Sequence, residues 1–181
     1  MQTDLFFDSS NIGDAAEPNF VGRAASFECG ATIRVSLHID DSQRITEARF
    51  RAAGCTSLVA AAAYLTRQIK GETTGDAASL AQRPRIVAER IGPTDIERRV
   101  CIALACEALL SAIAKYSDSR RDEWSGDEAL ICTCFGVSEK TIEDAIRSNA
   151  LSTIEDVTRT CNAGAGCRSC YPLIQEILDS V

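Results

Sequence analysis

Four cysteines near the end of the chain have types and spacing suited to metal chemistry. Cys132 and Cys134 are one residue apart in ICTCFG, and Cys167 and Cys170 are two residues apart in GCRSCYP. Thiolates bind zinc and iron–sulfur clusters. Structural zinc sites usually separate paired ligands by two to four residues, so the C-x-C pair favours an iron–sulfur cluster. In an extended segment, residues i and i+2 point to the same side, which predicts that Cys132 and Cys134 bind one iron together.

The whole chain carries nine cysteines, an odd number that does not suit a fully paired disulfide framework. The N-terminal MQTDLFFDSS has no basic region before its apolar residues, and the longest apolar run, Leu58 to Leu65, is too short to span a membrane. We therefore expect a cytoplasmic protein, where clustered thiols are more often ligands than disulfides. The net charge of −7 argues against partners such as nucleic acid or anionic lipid.

The first two thirds of the chain predict strands followed by helices. Alternating apolar residues in ATIRVSLHI and the later ITEARFRA predict an antiparallel hairpin. Helices are predicted over Cys55 to Gly71, with Gly71 as a C-terminal cap, around DAASLAQRPRIVAERIG with an interruption near Pro84, and over Arg98 to Tyr116. The polar stretch SDSRRDEWSGDE predicts a linker.

Beyond the linker lies a segment of about 50 residues, which is small enough to need a covalent or metal staple. Ser138 is the expected N-cap of a helix in VSEKTIEDAIRSN, and Ser152 with Glu155 has capping-box spacing for a second helix. Pro172 is expected to open a third helix. Gly164 and Gly166 would let backbone N–H groups approach the cysteine sulfurs.

This segment, over residues 130 to 178, resembles the bacterioferritin-associated-ferredoxin-like domain in its cysteine spacing and in its CFGV and AGAGC surroundings. The resemblance implies a small all-helical domain with a permanent, redox-active 2Fe–2S cluster on Cys132, Cys134, Cys167 and Cys170. Cys161 is additional to the pattern and is expected to be a partly buried helix-end thiol.

Three cysteines of the first part fall at the ends of predicted elements, in ECGA, AAGCTS and RRVCIAL. Cys55 at a helix N-terminus gains a dipole that favours the thiolate. With EPNFVG, these motifs resemble the IscU-like scaffold domain over residues 18 to about 117. The two domains together resemble the NifU-type scaffolds of nitrogen fixation. The resemblance implies that Cys29, Cys55 and Cys101 hold a transient 2Fe–2S or 4Fe–4S cluster.

Several positions depart from that family. Ala31 stands where the family usually has an aspartate, and Val100 where it has a histidine. Pro93 alone remains of a proline-rich chaperone-docking motif, and an Nfu-like C-terminal domain is not found before Val181. Cys106 is a candidate fourth ligand, but five residues turn a helix by about 140°, which aims it away from Cys101. The lone His38 is expected to be a solvated strand residue.

The resulting expectation is an α+β protein with a small antiparallel sheet packed with helices over residues 1–117, a linker over 118–129 and the all-helical 2Fe–2S domain over 130–181. It is expected to be a scaffold and not an enzyme. Its implied partners are a cysteine desulfurase and apo iron–sulfur proteins, with an electron donor and a homodimer left open. Two alternatives stay open: an electron-transfer protein whose first domain only docks, and a zinc-binding sulfur acceptor.

Overall fold

The structure is a computed structural model, which describes residues 10–92, 96–123, 126 and 128–181. Residues 1–9, from which no signal sequence was expected, lie outside the described residues. So do Pro93 and three positions of the expected linker, 124, 125 and 127. The chain divides into two compact units, Met1–Lys115 and Tyr116–Val181, called here the first and second units.

The first unit contains a three-stranded antiparallel sheet in the order β1-β2-β3. Its strands are β1 (Phe20–Ala25), β2 (Thr32–Ile39) and β3 (Ile45–Ala53). The expected hairpin is formed by β2 and β3, where Val35 pairs with Phe50 on the buried face. The strand β1 was not predicted, because its sequence FVGRAA has no apolar alternation.

Four helices follow the sheet: α1 (Thr56–Gln68), α2 (Thr74–Ala81), α3 (Pro84–Ile91) and α4 (Ile96–Asp122). The expected interruption near Pro84 is confirmed, since Pro84 begins α3 after a break at Gln82 and Arg83. The prediction of Gly71 as the C-terminal cap of α1 is wrong, because the helix ends at Gln68 and Ile69 is its C-cap. Gly71 follows two residues later with a φ of +85°, in the left-handed region.

The long helix α4 extends past the predicted end at Tyr116 and takes up the first residues of the expected linker. No glycine or proline occurs between Tyr116 and Asp122, and Arg121 forms an ion pair with Asp118 one turn away. The boundary between the two units, after Lys115, therefore falls inside a helix.

The strand β1 packs very closely against α4. A Cβ added to Gly22 would lie 2.0 Å from the carbonyl oxygen of Ala108 and 2.4 Å from the backbone nitrogen of Ala112. Glycine is therefore required at position 22 for the sheet and the helix to meet. This contact holds the β1–β2 loop, which carries Cys29, in a defined position beside α4.

Residues Arg99–Asp122 of α4 are long and apolar enough to cross a membrane, which corrects the expectation that no segment would be. Most of this segment is buried inside the protein, with Ile102, Ala105 and Leu109 almost fully covered. Length and composition alone do not distinguish a membrane-spanning helix from a core helix. Burial of this kind is typical of a core helix.

The second unit contains the short strands β4 (Leu130–Cys132) and β5 (Val137–Ser138) and the helices α5 (Glu139–Asn149), α6 (Ile154–Cys161) and α7 (Tyr171–Ser180). The predicted N-cap of α5 is confirmed, because the Ser138 hydroxyl accepts a hydrogen bond from the Thr141 backbone. The predicted capping box of α6 is wrong by one residue: Thr153 caps the helix and accepts from the Asp156 backbone. Pro172 lies in the first turn of α7, as expected.

Candidate functional site

The four cysteines of the second unit come together from two segments of the chain. Cys132 ends β4, Cys134 lies in the turn before β5, Cys167 lies in the loop after α6, and Cys170 is the N-cap of α7. The sulfur atoms of Cys134 and Cys167 are 3.4 Å apart. The thiol of Cys170 lies within hydrogen-bonding reach of the thiol of Cys132. The four sulfurs thus form two pairs, each joining one segment to the other.

That Cys132 and Cys134 share one iron stays a prediction, because contacts between thiols do not show which sulfurs bind the same iron. The i, i+2 rule applies to extended backbone, and β4 ends at Cys132, so Cys134 already lies in a turn. Among the described residues of both units, no group of three or more His, Cys, Asp or Glu side chains is placed to hold a single metal ion. Two pairs of thiols suit a cluster with two irons better than one zinc ion, because each iron takes two cysteine ligands.

The environment of these thiols ranges from open to buried, and their ionisation follows it. Burial raises the pKa of Cys170 to about 12. The hydroxyl of Ser169, 3.0 Å from the Cys167 sulfur, is the main cause that lowers the pKa of Cys167 to about 7. Binding of a metal to Cys170 must therefore release a proton, whereas Cys167 is already partly ionised at neutral pH.

The glycines of AGAGC have separate structural roles. A Cβ added to Gly166 would lie 3.0 Å from the Cβ and 3.2 Å from the sulfur of Cys134. Burial raises the pKa of Cys134, and the backbone N–H of Cys167, which points to the Cys134 sulfur, partly offsets that rise. Gly164 instead lies under the ring of Tyr171, where an added Cβ would be 2.5 Å from a ring carbon. The prediction that both glycines let backbone N–H groups approach the sulfurs therefore fits Gly166, which lies beside the Cys134 sulfur, and does not fit Gly164.

Cys161 is buried at the end of α6, and its sulfur lies 3.2 Å from the carbonyl oxygen of Val157. Burial is the main cause that raises its pKa, with a smaller contribution from the nearby Cys132. It is thus a helix-end thiol beside the four cysteines, as predicted, although it is more fully buried than expected.

In the first unit, Cys29, Cys55 and Cys101 converge from three different elements. Cys29 lies in the β1–β2 loop, Cys55 is the N-cap of α1, and Cys101 lies near the start of α4. The thiol of Cys101 is within hydrogen-bonding reach of the thiols of both Cys55 and Cys29. These three residues are called here the scaffold cysteines.

The scaffold cysteines differ in exposure, from the open Cys29 through the half-buried Cys55 to Cys101, which is only 8% exposed. Burial raises the pKa of Cys101 to about 12. The Ser26 side chain and the Ala31 backbone lower the pKa of the Cys29 thiol. Ser26 is not identified from the sequence. It lies at the start of a tight loop, which is closed by a 2.8 Å hydrogen bond from the Ser26 N–H to the Ala31 carbonyl oxygen. This position in the loop is the only local feature that could have pointed to it.

The candidate fourth ligand, Cys106, is not brought to the scaffold cysteines. It is buried in the apolar interior, and burial raises its pKa to about 12, with no other cysteine contributing. Its position agrees with the 140° offset from Cys101. His38 is not one of the converging residues either. It lies on the face of β2 opposite the apolar core, where its Nδ1 is 2.7 Å from the Glu17 carbonyl oxygen.

Ala31 and Val100 lie in contrasting environments beside the scaffold cysteines. Ala31 is only 2% exposed and packs against Gly54, where an added Cβ would lie 2.9 Å from the Ala31 Cβ. Val100, next to Cys101, is 52% exposed, and Phe27, two residues before Cys29, is fully exposed. Neither the Ala31 nor the Val100 side chain has a donor atom for a metal. The exposed Phe27 is not singled out by the sequence analysis.

Comparisons with known proteins agree with the two-part organisation. Residues 2–123 match the family described as NifU-like N terminal domain, and residues 130–180 match the BFD-like [2Fe-2S] binding domain. The chain is similar to the nitrogen fixation protein NifU of Trichormus azollae, with 34% identity over 98% of this chain, and to that of Azotobacter chroococcum, with 32% identity over 96%. It spans 62% and 56% of the lengths of those two relatives.

Two further comparisons cover about two thirds of the chain. The iron-sulfur cluster assembly scaffold protein IscU of Rickettsia prowazekii is 27% identical over 66% of this chain and 92% of its own length. A solved structure of a putative scaffold protein for the SUF system from Fervidobacterium islandicum covers 62% of this chain and 93% of its own, with a TM-score of 0.55 and 16% identity. This structural likeness confirms the predicted α+β fold.

Proposed function

The chain belongs to the NifU family, and from that membership we propose that it is a scaffold on which iron–sulfur clusters are assembled for other proteins. The observation that carries this proposal is the convergence of Cys29, Cys55 and Cys101 from a loop, a helix start and a second helix. A cluster assembled there is the cargo of the protein, and it needs ligands that hold it and then release it.

The geometry of the scaffold cysteines suits a transient cargo. Three thiols leave at least one iron coordination position without a cysteine, because Cys106 is buried away from them. Cys29 lies open to solvent on a loop, so an acceptor protein can reach that side of the cluster. We propose a cysteine desulfurase as the sulfur donor and apo iron–sulfur proteins as the acceptors, in the cytoplasm.

The second unit is proposed to hold a resident 2Fe–2S cluster on Cys132, Cys134, Cys167 and Cys170. The donor set fits this group, since four thiols occur as two pairs and Gly166 leaves the space beside the Cys134 sulfur free. The cluster, when bound, supplies one-electron transfer. The residues of the chain bury two of its ligands, Cys132 and Cys170, and leave Cys167 at the surface, where a redox partner can approach.

The proposal is tested by anaerobic reconstitution of the full chain with a cysteine desulfurase, cysteine, ferrous iron and a thiol reductant that converts the persulfide sulfur to sulfide. Iron and acid-labile sulfide should rise above the content of one 2Fe–2S cluster, and the excess should pass to an apo-ferredoxin. The variant Cys101→Ala should keep the resident cluster but lose the excess, and Cys106→Ala should retain both. Incorporation of zinc alone into the first unit would instead support a zinc-binding sulfur acceptor.

A second candidate function is electron transfer, with a first unit that only docks. The side chains of Ala31 and Val100 favour it, because neither offers an oxygen or nitrogen ligand beside the scaffold cysteines. In that case the wild type and Cys101→Ala would contain the same iron after reconstitution, and both would transfer electrons equally well. Neither function requires the chain to catalyse a reaction of its own.

A further inference from the structure

The outer face of the sheet in the first unit carries three arginines in one row. Arg23 of β1 pairs in register with Arg34 of β2, and Arg34 pairs with Arg51 of β3. Residues directly opposite in a sheet have Cβ atoms about 5 Å apart on the same face. The three guanidinium groups, called here the arginine row, therefore lie side by side across all three strands.

Folding does not account for this arrangement. Like charges directly opposite each other on neighbouring strands destabilise a sheet. The protein as a whole is acidic, with a net charge of −7, so a cluster of three cations is a local exception. Positions that break a stability rule without an evident structural gain are typical of functional sites.

Within the described residues, one carboxylate approaches the row. Asp14 lies 2.7 Å from Nε of Arg51 and 3.4 Å from Nε of Arg34. Only the Arg51 contact is a hydrogen bond, since Nε of Arg34 has no hydrogen-bond partner. The terminal nitrogens of both guanidinium groups form no hydrogen bond with the described residues. No described residue forms an ion pair or hydrogen bond with the exposed Arg23 side chain. The row thus keeps two positive charges in excess of Asp14, with donors available to a ligand.

The arginine row borders a cavity of about 590 Å³, open to solvent. Ala25, Thr32 and Ala53 lie on the same face, each two positions along its strand from the arginine. Their short side chains form the floor of this cavity. Three long arginines beside three short side chains make the depression. Its volume falls within the range of small-molecule sites, about 300–1,000 Å³, and is larger than one phosphate group requires.

We propose that this cavity is a binding site for a small multivalent oxyanion, a polycarboxylate or a bisphosphate, held by the terminal nitrogens of Arg23, Arg34 and Arg51. Guanidinium groups bind carboxylate and phosphate through paired N–H donors, and three of them in a row match a ligand with several anionic groups. The threonine hydroxyl on the floor adds one neutral donor or acceptor. This site lies on the outer face of the sheet and does not depend on which cluster the first unit carries.

The experiment is isothermal titration of the full-length protein at physiological ionic strength, with tricarballylate and fructose bisphosphate as separate probes. Tricarballylate is used because it lacks the hydroxyl that makes citrate a strong iron chelator. We expect saturable binding of at least one probe, and the better probe identifies the ligand as a carboxylate or a phosphate. Arg23→Gln should weaken that binding about tenfold, because one charge-assisted contact is lost.

Two further variants separate specific binding from bulk charge. Asp14→Asn should tighten binding severalfold, since the competing carboxylate is removed from Arg34 and Arg51. Arg147→Gln, in α5 of the second unit and paired with Glu143, changes the net charge by the same amount as Arg23→Gln and should leave the affinity unchanged. Arg23→Gln should also unfold at a temperature no lower than wild type, because it relieves repulsion.

The proposal is overturned if neither probe binds at millimolar concentration, or if Arg23→Gln and Arg147→Gln weaken binding equally. Binding of a glutamate-rich peptide without binding of either small anion would also overturn it, since the site would then be a surface for an acidic protein.

Discussion

Replacement of Ala31 by aspartate should make the cargo cluster more labile and the cluster-free protein less stable. Ala31 lies in the loop that carries Cys29 and is 2% exposed, packed so closely against Gly54 that a Cβ added to the glycine would lie 2.9 Å from the Ala31 Cβ. A carboxylate there offers iron a weak, exchangeable oxygen ligand near soft thiolates, which alanine does not. We therefore expect cluster transfer from Ala31→Asp to be about tenfold faster, a change of about 1.4 kcal/mol in the barrier.

The cost to the cluster-free protein follows from burial. A buried polar group without a full set of hydrogen bonds costs about 1–3 kcal/mol in proteins, a large part of the total stability of a domain. Burial also raises the pKa of an introduced carboxyl above its unfolded value, so the folded state binds more protons than the unfolded state. The stability deficit of Ala31→Asp should therefore be smallest at acidic pH and grow as the pH rises.

The assay loads both proteins anaerobically and follows the visible absorbance as the cluster passes to an apo-ferredoxin. Denaturant unfolding of the cluster-free proteins at several pH values gives the stability difference. Ala31→Asn is the matched control, because it has the same size but no charge, and its deficit should not vary with pH. Equal transfer rates for wild type and Ala31→Asp would refute the role assigned to position 31.

Three other outcomes are expected. Cys170→Ala should abolish the visible chromophore of the second unit, whereas Cys161→Ala should keep it; a chromophore that survives in Cys170→Ala contradicts the assigned ligands. In the metal-free protein, the rate of alkylation of Cys167 should rise with pH through a midpoint near 7, because its thiolate forms there; mass spectrometry of peptides follows it, and a midpoint near 9 would rule out the influence of Ser169. Gly22→Ala should destabilise the first unit by about 3 kcal/mol or more through its clash with α4, measured by denaturant unfolding, whereas Gly71→Ala, with open space around it, should cost only about 1 kcal/mol of backbone strain.

Local patterns determined several elements of this protein without reference to tertiary structure. Ser138 caps α5 because its hydroxyl reaches a backbone N–H three residues away, an interaction that involves one turn of chain. The buried face of β2 follows from apolar alternation, and the break before α3 follows from Pro84. The spacing of the cysteines in the second unit likewise indicated a cluster with thiolate ligands.

Other features depended on contacts between distant residues. The strand β1 packs against α4 because Gly22 leaves room for the helix backbone. The strand propensity of the sequence FVGRAA does not reveal this contact. The pairing of Cys134 with Cys167 depends on where β4 ends and a turn begins. Local propensity also did not predict where α4 ends. The helix continues through polar residues whose composition by itself favours a linker.

The arginine row illustrates why the sequence alone was insufficient. Arg23, Arg34 and Arg51 are far apart in the chain and have no shared motif, and each alone would be an ordinary surface residue. Strand register brings them opposite each other, and register is decided by which apolar residues face the helices, Val35 against Phe50 among them. The sequence determined which face of each strand is buried, and the tertiary pairing of those faces decided which charges became neighbours.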